Sequence, residues 1–327
     1  MEYNENDSKK NKLQVFVRVR PPIASEIDED ISVHVINESS LSVRTEKQNL
    51  SCEFDAVFNE VSEQNNIFEN VKSLLDSVLD GYNACIFAYG QTSAGKTHTM
   101  LGPNGGKNLL QQPGSWGILP RSASYLLNSL HTRSKKESMR YLVKASFLQI
   151  YNEQLYDLLS DGSYSRSEDA TRGKNMDSIL KIREIPSRDR REAGYATKEV
   201  YVSGLSEFRV HSSQDVMSLL EIGASNRTTK TTDFNLTSSR SHAILSLNFE
   251  VEVDDEASGQ KVIHRSKLNL VDLAGSEKMT NVVGSMLNAD DRFAGGLVGE
   301  KSHVKELTSI NKSLSALGEY VRDGERC

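Results

Sequence analysis

The sequence predicts an α/β domain, within a chain of 327 residues, that is built around a phosphate-binding loop. Segments with strand-like and helix-like apolar spacing are mixed along the whole chain, which indicates an α/β fold. The pattern G-x-x-x-x-G-K-[ST] occurs at residues 90–97, after a strand-like segment and before a helical one. Because we find neither an internal repeat nor a convincing linker, we expect a disordered polar tail over residues 1–12 and one domain over residues 13–327.

The first quarter of the chain predicts two short strands and a long amphipathic helix. Residues 13–22, LQVFVRVRPP, alternate apolar residues with arginines and end at two prolines, and CEFDAVF at residues 52–58 is a second apolar run. Residues 61–83 predict a helix with Ser62 as its N-cap and Gly81 as its C-terminal stop. One face of this helix is apolar and consists of Phe68, Val71, Leu75, Val78 and Leu79.

The rest of the chain continues the mixture of strands and helices. Residues 84–89, ACIFAY, predict a buried strand, and residues 140–151 predict another. The polar stretch at residues 160–175 predicts a loose loop. Residues 212–223 predict a helix that opens with a capping box formed by Ser212 and Asp215. Two further strands and a last helix are expected at residues 242–253, 266–275 and 304–321.

The composition argues against several classes of protein. With 37% hydrophobic residues the chain can bury a sizeable core, yet no window has the apolar length that a membrane helix needs. The net charge of −6 disfavours non-specific binding to nucleic acid, which requires clustered lysine and arginine. The three widely spaced cysteines give neither a disulfide framework nor a metal-ligand pattern, and the N-terminus lacks an apolar signal segment. We therefore expect a reducing cytosolic or nuclear setting.

Residue chemistry explains each position of the phosphate loop, as we call residues 90–97. Small residues let successive backbone N–H groups turn inward around a phosphate. Lys96 would supply a positive charge to the β- and γ-phosphates, and Thr97 a hydroxyl ligand for Mg²⁺. A helix that starts there directs its positive end at the anion. The alternative is a chance glycine-rich turn, which the strand before it and the helix after it disfavour.

A phosphate loop alone does not specify a reaction, because phosphoryl transfer also needs a second carboxylate and groups that sense the γ-phosphate. Asp272 ends an apolar strand in NLVDLAGSE, where such a carboxylate belongs, and Gly275 could offer a backbone N–H to the γ-phosphate. Residues 235–242, NLTSSRSH, add two adjacent hydroxyls and an arginine before another strand. Taken alone, residues 235–242 favour an ordinary turn.

Four motifs, FAYGQTSAGKTHTM, NLTSSRSH, VDLAGSE and INKSLSALG, occur in this order, and together they resemble the kinesin motor domain. Shorter stretches agree with the resemblance: VRVRPP, FDAVF, GILPR, FLQIYNEQLYDLL and SNR. The resemblance runs from Leu13 to the end of the chain. It implies a P-loop NTPase of the kinesin type, with a central, mostly mixed β-sheet flanked by helices on both faces. A guanine-specific GTPase is disfavoured because the chain has no N-K-x-D segment.

The resemblance implies that the protein binds Mg·ATP, and it assigns residues to each part of the nucleotide. Arg18, Arg20 and Pro21 match the family's R-x-R-P segment at the adenine, whereas without the family those arginines predict only a solvated strand edge. The remaining nucleotide-binding positions are Gly90, Gln91, Thr92, Ser93, Ala94, Gly95, Lys96, Thr97 and His98. The positions implied for Mg²⁺ are Thr97, Ser238 and Asp272, the last through a water molecule.

The resemblance also implies two switches: the first switch segment, residues 235–242, and the second switch segment, residues 272–277. Ser239 and Gly275 are implied contacts of the γ-phosphate. Arg240 and Glu277 match the pair that in kinesins joins the two switches as an ion bridge, which would confine the attacking water. The alternative for that pair is an ordinary surface salt bridge, worth less than about 1 kcal/mol.

In the kinesin family the second switch leads into a helix that lies on the microtubule, matched here by residues 304–321. Because the surface of tubulin is acidic, we expect a salt-sensitive contact, with Lys278, Lys301, Lys305 and Lys312 as candidates. For any one of them alone, a solvated charged helix is the alternative. The resemblance therefore predicts a microtubule-stimulated ATPase of the cytoplasmic cytoskeleton, without a nucleic-acid or membrane partner and without a dimerisation segment.

Three departures from the family pattern qualify this expectation. The segment at residues 277–306 is longer than usual and carries Asp290 and Asp291, acidic residues that would weaken attraction to tubulin. Lys278 stands where arginine is usual, which keeps the charge but loses the planar fork. The chain stops at Cys327, before elements with which the family continues, so we expect an incomplete motor head that works within a longer form. The alternative is a non-motile, nucleotide-dependent tubulin-binding or regulatory fragment.

Overall fold

A computed structural model describes residues 13–45, 47–136, 139–160, 180–185, 199–234, 238–254, 260–277 and 308–319. The chain divides into two compact units, one of residues 1–71 with 311–327 and one of residues 72–310. Three regions with predictions lie wholly or almost wholly outside the described residues: the tail at 1–12, the polar loop at 160–175 and the long segment at 277–306.

The first unit carries five short strands: β1 Phe16–Arg18, β2 Val33–Val35, β3 Ser40–Arg44, β4 Asn49–Glu53 and β5 Ala56–Phe58. β1 pairs with β5 in parallel, and β2, β3 and β4 form an antiparallel sheet in that order. The predicted first strand is therefore confirmed, although it spans only three residues. The apolar run at 52–58 divides between the end of β4 and β5, where Phe58 packs edge-to-face against Phe16.

Helix α1, Gln64–Leu79, confirms the predicted helix and its buried face. The helix stops two residues before Gly81, whose φ of 97° is one that glycine adopts without strain. The N-cap prediction is wrong, because α1 begins at Gln64 and is preceded directly by Glu63, while Ser62 Oγ donates to the side chain of Asn59 at 2.8 Å. Asn66, inside the first turn, instead accepts a hydrogen bond from the backbone N–H of Glu63 at 2.8 Å.

The second unit is built on a mixed sheet. Its strands are β6 Ala84–Ala88, β7 Arg140–Tyr151, β8 Gln154–Asp157, β9 Lys181–Ile185, β10 Glu199–Ser203, β11 Phe208–Val210, β12 His242–Asp254 and β13 Lys261–Asp272. Six of them form one sheet in the order β11-β7-β12-β13-β6, with β8 also paired to β7. β6 and β13 are parallel, whereas the other neighbours in this sheet are antiparallel. β9 and β10 form a separate antiparallel pair.

The long strands of this sheet supply the core. The strands predicted at 140–151, 242–253 and 266–275 are confirmed as β7, β12 and β13, and alternate residues of β12 are buried. The predicted burial of β6 is wrong: Ala84 is its buried residue, and Cys85 is exposed. The physical reason is that β6 is the last strand in the described order of the sheet, so one of its edges has no described neighbouring strand.

The other described helices are α2 Lys96–Met100, α3 Ile118–Lys136, α4 Ser213–Phe234 and α5 at residues 308–319. α3 packs against α4, and both contact β7. The predicted capping box is confirmed, because Asp215 N donates to Ser212 Oγ at 3.2 Å and Ser212 N to Asp215 Oδ2 at 3.0 Å. The helix predicted at 304–321 is confirmed over α5. Within the described part of the chain, no helix is long and apolar enough to cross a membrane.

Candidate functional site

The carboxyl ends of two parallel strands place the phosphate loop beside the second switch segment. β6 and β13 run in the same direction, with Ala88 opposite Asp272. The phosphate loop follows β6 and the second switch segment follows β13, so both leave the sheet at the same edge. β12 runs antiparallel to β13 with Ala243 opposite Asp272, and it therefore brings the end of the first switch segment to this edge. The topology thus collects the three segments that the sequence singled out.

The phosphate loop turns around the side chain of Lys96. Ser93 and Gly95 have left-handed backbone conformations, with φ of 63° and 96°, and α2 begins immediately afterwards. Lys96 Nζ donates to the carbonyl oxygens of Gly90 at 2.9 Å and Gln91 at 2.8 Å. Burial lowers the pKa of Lys96, although two nearby carboxylates oppose that shift. The lysine is therefore held inside the loop that is predicted to receive phosphate.

Asp272 is buried at the centre of the site, and one of its oxygens accepts two hydrogen bonds. Thr97 Oγ1 and Arg227 Nη1 each donate to Oδ2 at 2.7 Å. Arg227 Nη2 also donates to Ser241 O at 3.0 Å, and Arg227 and Asp272 are only 5% and 3% exposed. Among the described residues, none donates to Oδ1 of Asp272, although this atom is buried. A hydroxyl beside a carboxylate oxygen with open lone pairs is an oxygen donor set that suits Mg²⁺.

Two backbone hydrogen bonds tie the three segments to one another. Gly275 N donates to Ser239 O at 2.7 Å, and Ser276 N donates to Gly90 O at 3.1 Å. The N–H of Gly275, for which the sequence predicts a contact with the γ-phosphate, is thus directed at the first switch segment in this arrangement. Its phosphate contact stays a prediction. The side chain of Ser238 lies outside the described part of the site.

His242, the first residue of β12, is a buried and neutral histidine. Its Nδ1 accepts a hydrogen bond from Ala274 N at 3.1 Å, which leaves the ring proton on Nε2. Burial lowers the pKa of His242 to about 4, and the charge of Arg227 adds to this effect. At neutral pH the imidazole therefore supports the second switch segment as a hydrogen-bond acceptor.

Glu277, at the end of the second switch segment, is bound to the phosphate loop. Its Oε2 accepts from Thr92 N at 2.8 Å, and its Oε1 accepts from Thr92 Oγ1 at 2.5 Å. Burial acts to raise the pKa of Glu277, but the hydrogen bonds from Thr92 and the charge of Lys96 outweigh it, so the pKa is lowered. The described hydrogen bonds of the Glu277 carboxylate are with Thr92, and the ion bridge predicted with Arg240 is not among them. The bridge stays a prediction for another arrangement of the site.

The residues predicted at the adenine are, apart from His98, in the first unit. Within that unit Arg18 Nη1 donates to Gln64 Oε1 at 3.0 Å. Arg20 binds Glu26 through two hydrogen bonds of 2.7 Å, and these lower the pKa of Glu26 to about 2. His98 is exposed on α2. Their contacts with a nucleotide, like that of Pro21, stay predictions.

The predicted track-binding lysines fall mostly outside the described residues. Lys312 is described and is exposed on α5, whereas the structure does not describe Lys278, Lys301 and Lys305. Within the described ranges, no group of three or more His, Cys, Asp and Glu residues could hold a metal ion.

Two contacts of the site were not predicted from the sequence. Arg227 lies in α4, and its one signal is the tripeptide SNR, which supported the family resemblance without a role. Thr92 was expected to bind phosphate and is found to bind Glu277, which is 185 residues away in the chain. No local spacing predicts a contact over that separation.

Comparison of the sequence with known proteins agrees with the motifs. The family model of the kinesin motor domain matches residues 18–324. Kinesin-like protein KIN-14J of Arabidopsis thaliana is 34% identical over 326 residues, which cover 98% of this chain and 26% of that protein. Kinesin-like protein KIF15 of Homo sapiens is 33% identical over 326 residues, which cover 97% of this chain and 20% of that protein. The chain thus spans about a quarter or less of the length of these relatives.

Comparison of the fold gives the same family. The solved structure described as "Structure of a fast kinesin: Implications for ATPase mechanism and interactions with microtubules" aligns with a TM-score of 0.71 and 30% identity. The alignment covers 94% of this chain and 74% of that chain. The match confirms the predicted fold class, a P-loop NTPase of the kinesin type with a mixed central sheet and packed helices.

Proposed function

The chain belongs to the kinesin motor domain family, and we propose that it is an ATP-driven microtubule motor head whose ATPase activity is stimulated by microtubules. This function places the protein on the microtubule cytoskeleton of the cytoplasm. The proposal is supported by the names of the curated relatives and by the solved kinesin, which is described in connection with ATPase mechanism and microtubules.

The observation that carries the proposal is the set of hydrogen bonds that joins the phosphate loop and the two switch segments. Thr97 bonds to Asp272 at 2.7 Å and Ser276 to the backbone of the phosphate loop at 3.1 Å. Gly275 bonds to Ser239 at 2.7 Å. These hydrogen bonds give a route from the phosphate loop to both switch segments, and ordering and release of switches is how nucleotide state is transmitted in GTPases.

We assign Mg²⁺ to Thr97, Ser238 and Asp272. The Thr97 hydroxyl and the buried Oδ1 of Asp272 supply hard oxygen donors of the kind that this ion prefers. When bound, the ion would neutralise negative charge on the phosphate oxygens. Arg227 would hold the Asp272 carboxylate in place, because its Nη1 donates to Oδ2 at 2.7 Å.

We assign the phosphates of ATP to Lys96 and to the backbone N–H groups of the phosphate loop. Lys96 Nζ would exchange two carbonyl oxygens for phosphate oxygens, and a hydrogen bond between two charged groups is stronger than one to a neutral carbonyl. Arg18, Arg20, Pro21 and His98 are assigned to the adenine on the match to the family motifs alone.

We assign the hydrolytic step to Ser239, Arg240, Gly275 and Glu277. Arg240 and Glu277, once paired, would enclose the attacking water and exclude bulk solvent, while Ser239 and Gly275 would contact the γ-phosphate. In the structure the carboxylate of Glu277 instead accepts two hydrogen bonds from Thr92.

A second candidate function is a nucleotide-dependent tubulin-binding module that does not move. Asp290 and Asp291, in the long segment after Glu277, favour it because added negative charge weakens attraction to an acidic track. The track contact itself is assigned to Lys278, Lys301, Lys305 and Lys312, and it should weaken as salt is added.

Phosphate release by the full chain, measured with and without microtubules, tests the proposed function. We expect microtubules to raise the parent rate at least about tenfold. Lys96→Ala should abolish release, because the phosphates lose their principal protein cation. Lys107→Ala is the matched control, since Lys107 is exposed just beyond α2, and it should keep the parent rate. Release by Lys96→Ala at the parent rate would overturn the proposal, and release without stimulation would favour the second candidate.

A further inference from the structure

The contact between Glu277 and Thr92 places a protein carboxylate on the phosphate loop. Glu277 Oε2 accepts from the backbone N–H of Thr92 at 2.8 Å, and Oε1 accepts from the Thr92 hydroxyl. Inward-directed N–H groups are what such loops offer to phosphate oxygens. Glu277 therefore occupies a donor of the kind that an incoming phosphate would use.

The carboxylate at this place is an anion. Burial favours its neutral form, but the bonds from Thr92 and the charge of Lys96 together lower the pKa of Glu277. Thr92 is exposed and Glu277 is only partly buried, so an anion from solvent can reach the contact. The contact and an incoming phosphate thus compete for the same donors and the same positive charge.

The segment that carries Glu277 is held by hydrogen bonds at three consecutive positions. Gly275 N donates to Ser239 O and Ser276 N donates to Gly90 O, so residues 275–277 are fastened at three consecutive positions. There is also no space beside Gly275, where an added Cβ would lie 2.5 Å from Thr92 Oγ1. We therefore expect release of Glu277 to weaken the two backbone hydrogen bonds beside it.

We propose that Thr92 is a positioning residue that holds Glu277 in a resting arrangement, away from Arg240. An anion that enters the phosphate loop must displace this carboxylate before Glu277 can reach Arg240. The role of the nucleotide as that anion rests on the proposed function, whereas the holding contact does not. The backbone N–H of residue 92 is present in every variant, so substitution changes only the side chain. The hydrogen bond from the Thr92 hydroxyl is therefore the part of the contact that variants can test.

Two substitutions separate holding from mere packing. Thr92→Val keeps the shape and the β-branch but removes the hydroxyl donor. Thr92→Ser keeps the donor and loses a methyl group. A packing role predicts that Thr92→Ser is the more harmful change, and a holding role predicts the reverse. Glu277→Gln is a third variant, which keeps the size of the side chain and removes the charge.

Hydrogen exchange of the nucleotide-free full chain tests the contact without relying on any activity. In Thr92→Val we expect the amides of Gly275 and Ser276 to exchange at least about fivefold faster than in the parent, because local opening becomes easier. Thr92→Ser should stay within about twofold of the parent. Unchanged exchange in Thr92→Val would overturn the holding role. If Thr92→Val does not fold, faster exchange in Glu277→Gln supports the holding contact, and unchanged exchange overturns it.

Stopped-flow binding of a fluorescent ATP analogue, with Mg²⁺ present, tests the competition. We expect association with Thr92→Val to be about three- to tenfold faster than with the parent, and Thr92→Ser to match the parent. Faster amide exchange without faster association would overturn the competition.

If the parent binds no nucleotide, the proposed function fails, and tripolyphosphate serves as the anion in its place. Tripolyphosphate that leaves the exchange of Gly275 and Ser276 unchanged would then overturn the inference, and acceleration would support it.

Discussion

Arg227 Nη1 lies 2.7 Å from Asp272 Oδ2, and the side chains of both residues are almost completely buried. Removal of the arginine would leave a buried carboxylate without its counter-charge. We therefore expect Arg227→Ala to lower the free energy of unfolding by about 3–5 kcal/mol. Urea denaturation of the full chain measures this loss.

The matched control for Arg227 is Arg265→Ala. Arg265 Nε lies 3.4 Å from Glu250 Oε1, but its side chain is 72% exposed. A solvent-exposed ion pair contributes less than about 1 kcal/mol, so we expect little change in the free energy of unfolding. Equal losses in the two variants would contradict the stabilising role of the buried pair of Arg227 and Asp272.

Gly275 has no room for a side chain. A Cβ at this position would lie 2.3 Å from Glu277 Oε2 and 2.5 Å from Thr92 Oγ1. We expect Gly275→Ala to reduce hydrolysis at least about tenfold, because small displacements of catalytic groups have large effects on rate. Gly114→Ala is the control, since a Cβ there would meet nothing within 4 Å. Phosphate release measures both variants, and a parent rate in Gly275→Ala would contradict the close packing.

Local features of the sequence predicted the parts of the fold that depend on local spacing. β7, β12 and β13 follow from alternating apolar residues, and the capping box of Ser212 and Asp215 follows from a spacing of three residues. The motifs also identified the phosphate loop and Asp272, and the parallel pairing of β6 with β13 brings them to one edge of the sheet. The N-cap prediction for α1 failed because the helix begins at Gln64, one residue later than a cap at Ser62 requires.

Contacts between distant parts of the chain were not predictable in the same way. Arg227 and Asp272 are 45 residues apart, and Thr92 and Glu277 are 185 residues apart. The order and direction of the strands determine which distant residues meet. The spacing of residues along a single strand does not predict that order. The exposure of β6 has the same origin, because its place at the end of the described sheet is a property of the topology.

His242 makes the folded protein less stable in acid. Burial keeps its pKa at about 4 in the folded chain, whereas the pKa of a solvated histidine is about 6.5. Between these values the unfolded chain binds a proton that the folded chain does not, so stability rises with pH across this window. The contribution of His242 to the free energy of unfolding is fully present above the pKa of the unfolded chain, about 6.5. It is lost as the pH falls toward the pKa of the folded chain, about 4. A change from about pH 7.5 to about pH 5.5 should therefore cost about 1.4 kcal/mol from this group.

Urea denaturation at the two pH values checks the effect of His242. In His242→Asn the amide oxygen can accept from Ala274 N but does not titrate, so this part of the pH dependence should disappear. His34→Asn replaces an exposed histidine and should keep the pH dependence of the parent. The same dependence in His242→Asn and in the parent would contradict the assignment.

Removal of the Glu277 carboxylate should separate ATP binding from hydrolysis. Glu277→Ala keeps Lys96 and the backbone of the phosphate loop, so we expect its affinity for ATP to be at least that of the parent. Hydrolysis should fall by about two orders of magnitude, because the attacking water loses its enclosure. Equilibrium binding and single-turnover kinetics measure the two quantities, and Glu29→Ala removes an exposed carboxylate as the control. Single-turnover hydrolysis at the parent rate would show that the pair of Arg240 and Glu277 is an ordinary surface salt bridge without a role in hydrolysis.

The affinity of the full chain for microtubules in two nucleotide states tests the central claim most directly. That claim is that the nucleotide bound in the phosphate loop changes the affinity for microtubules, and that the hydrogen-bonded switch segments transmit this change. We predict, from co-sedimentation, that microtubules bind at least about tenfold more tightly with a non-hydrolysable ATP analogue than with ADP. A chain that binds both nucleotides, yet binds microtubules with the same affinity in both states, would contradict the claim.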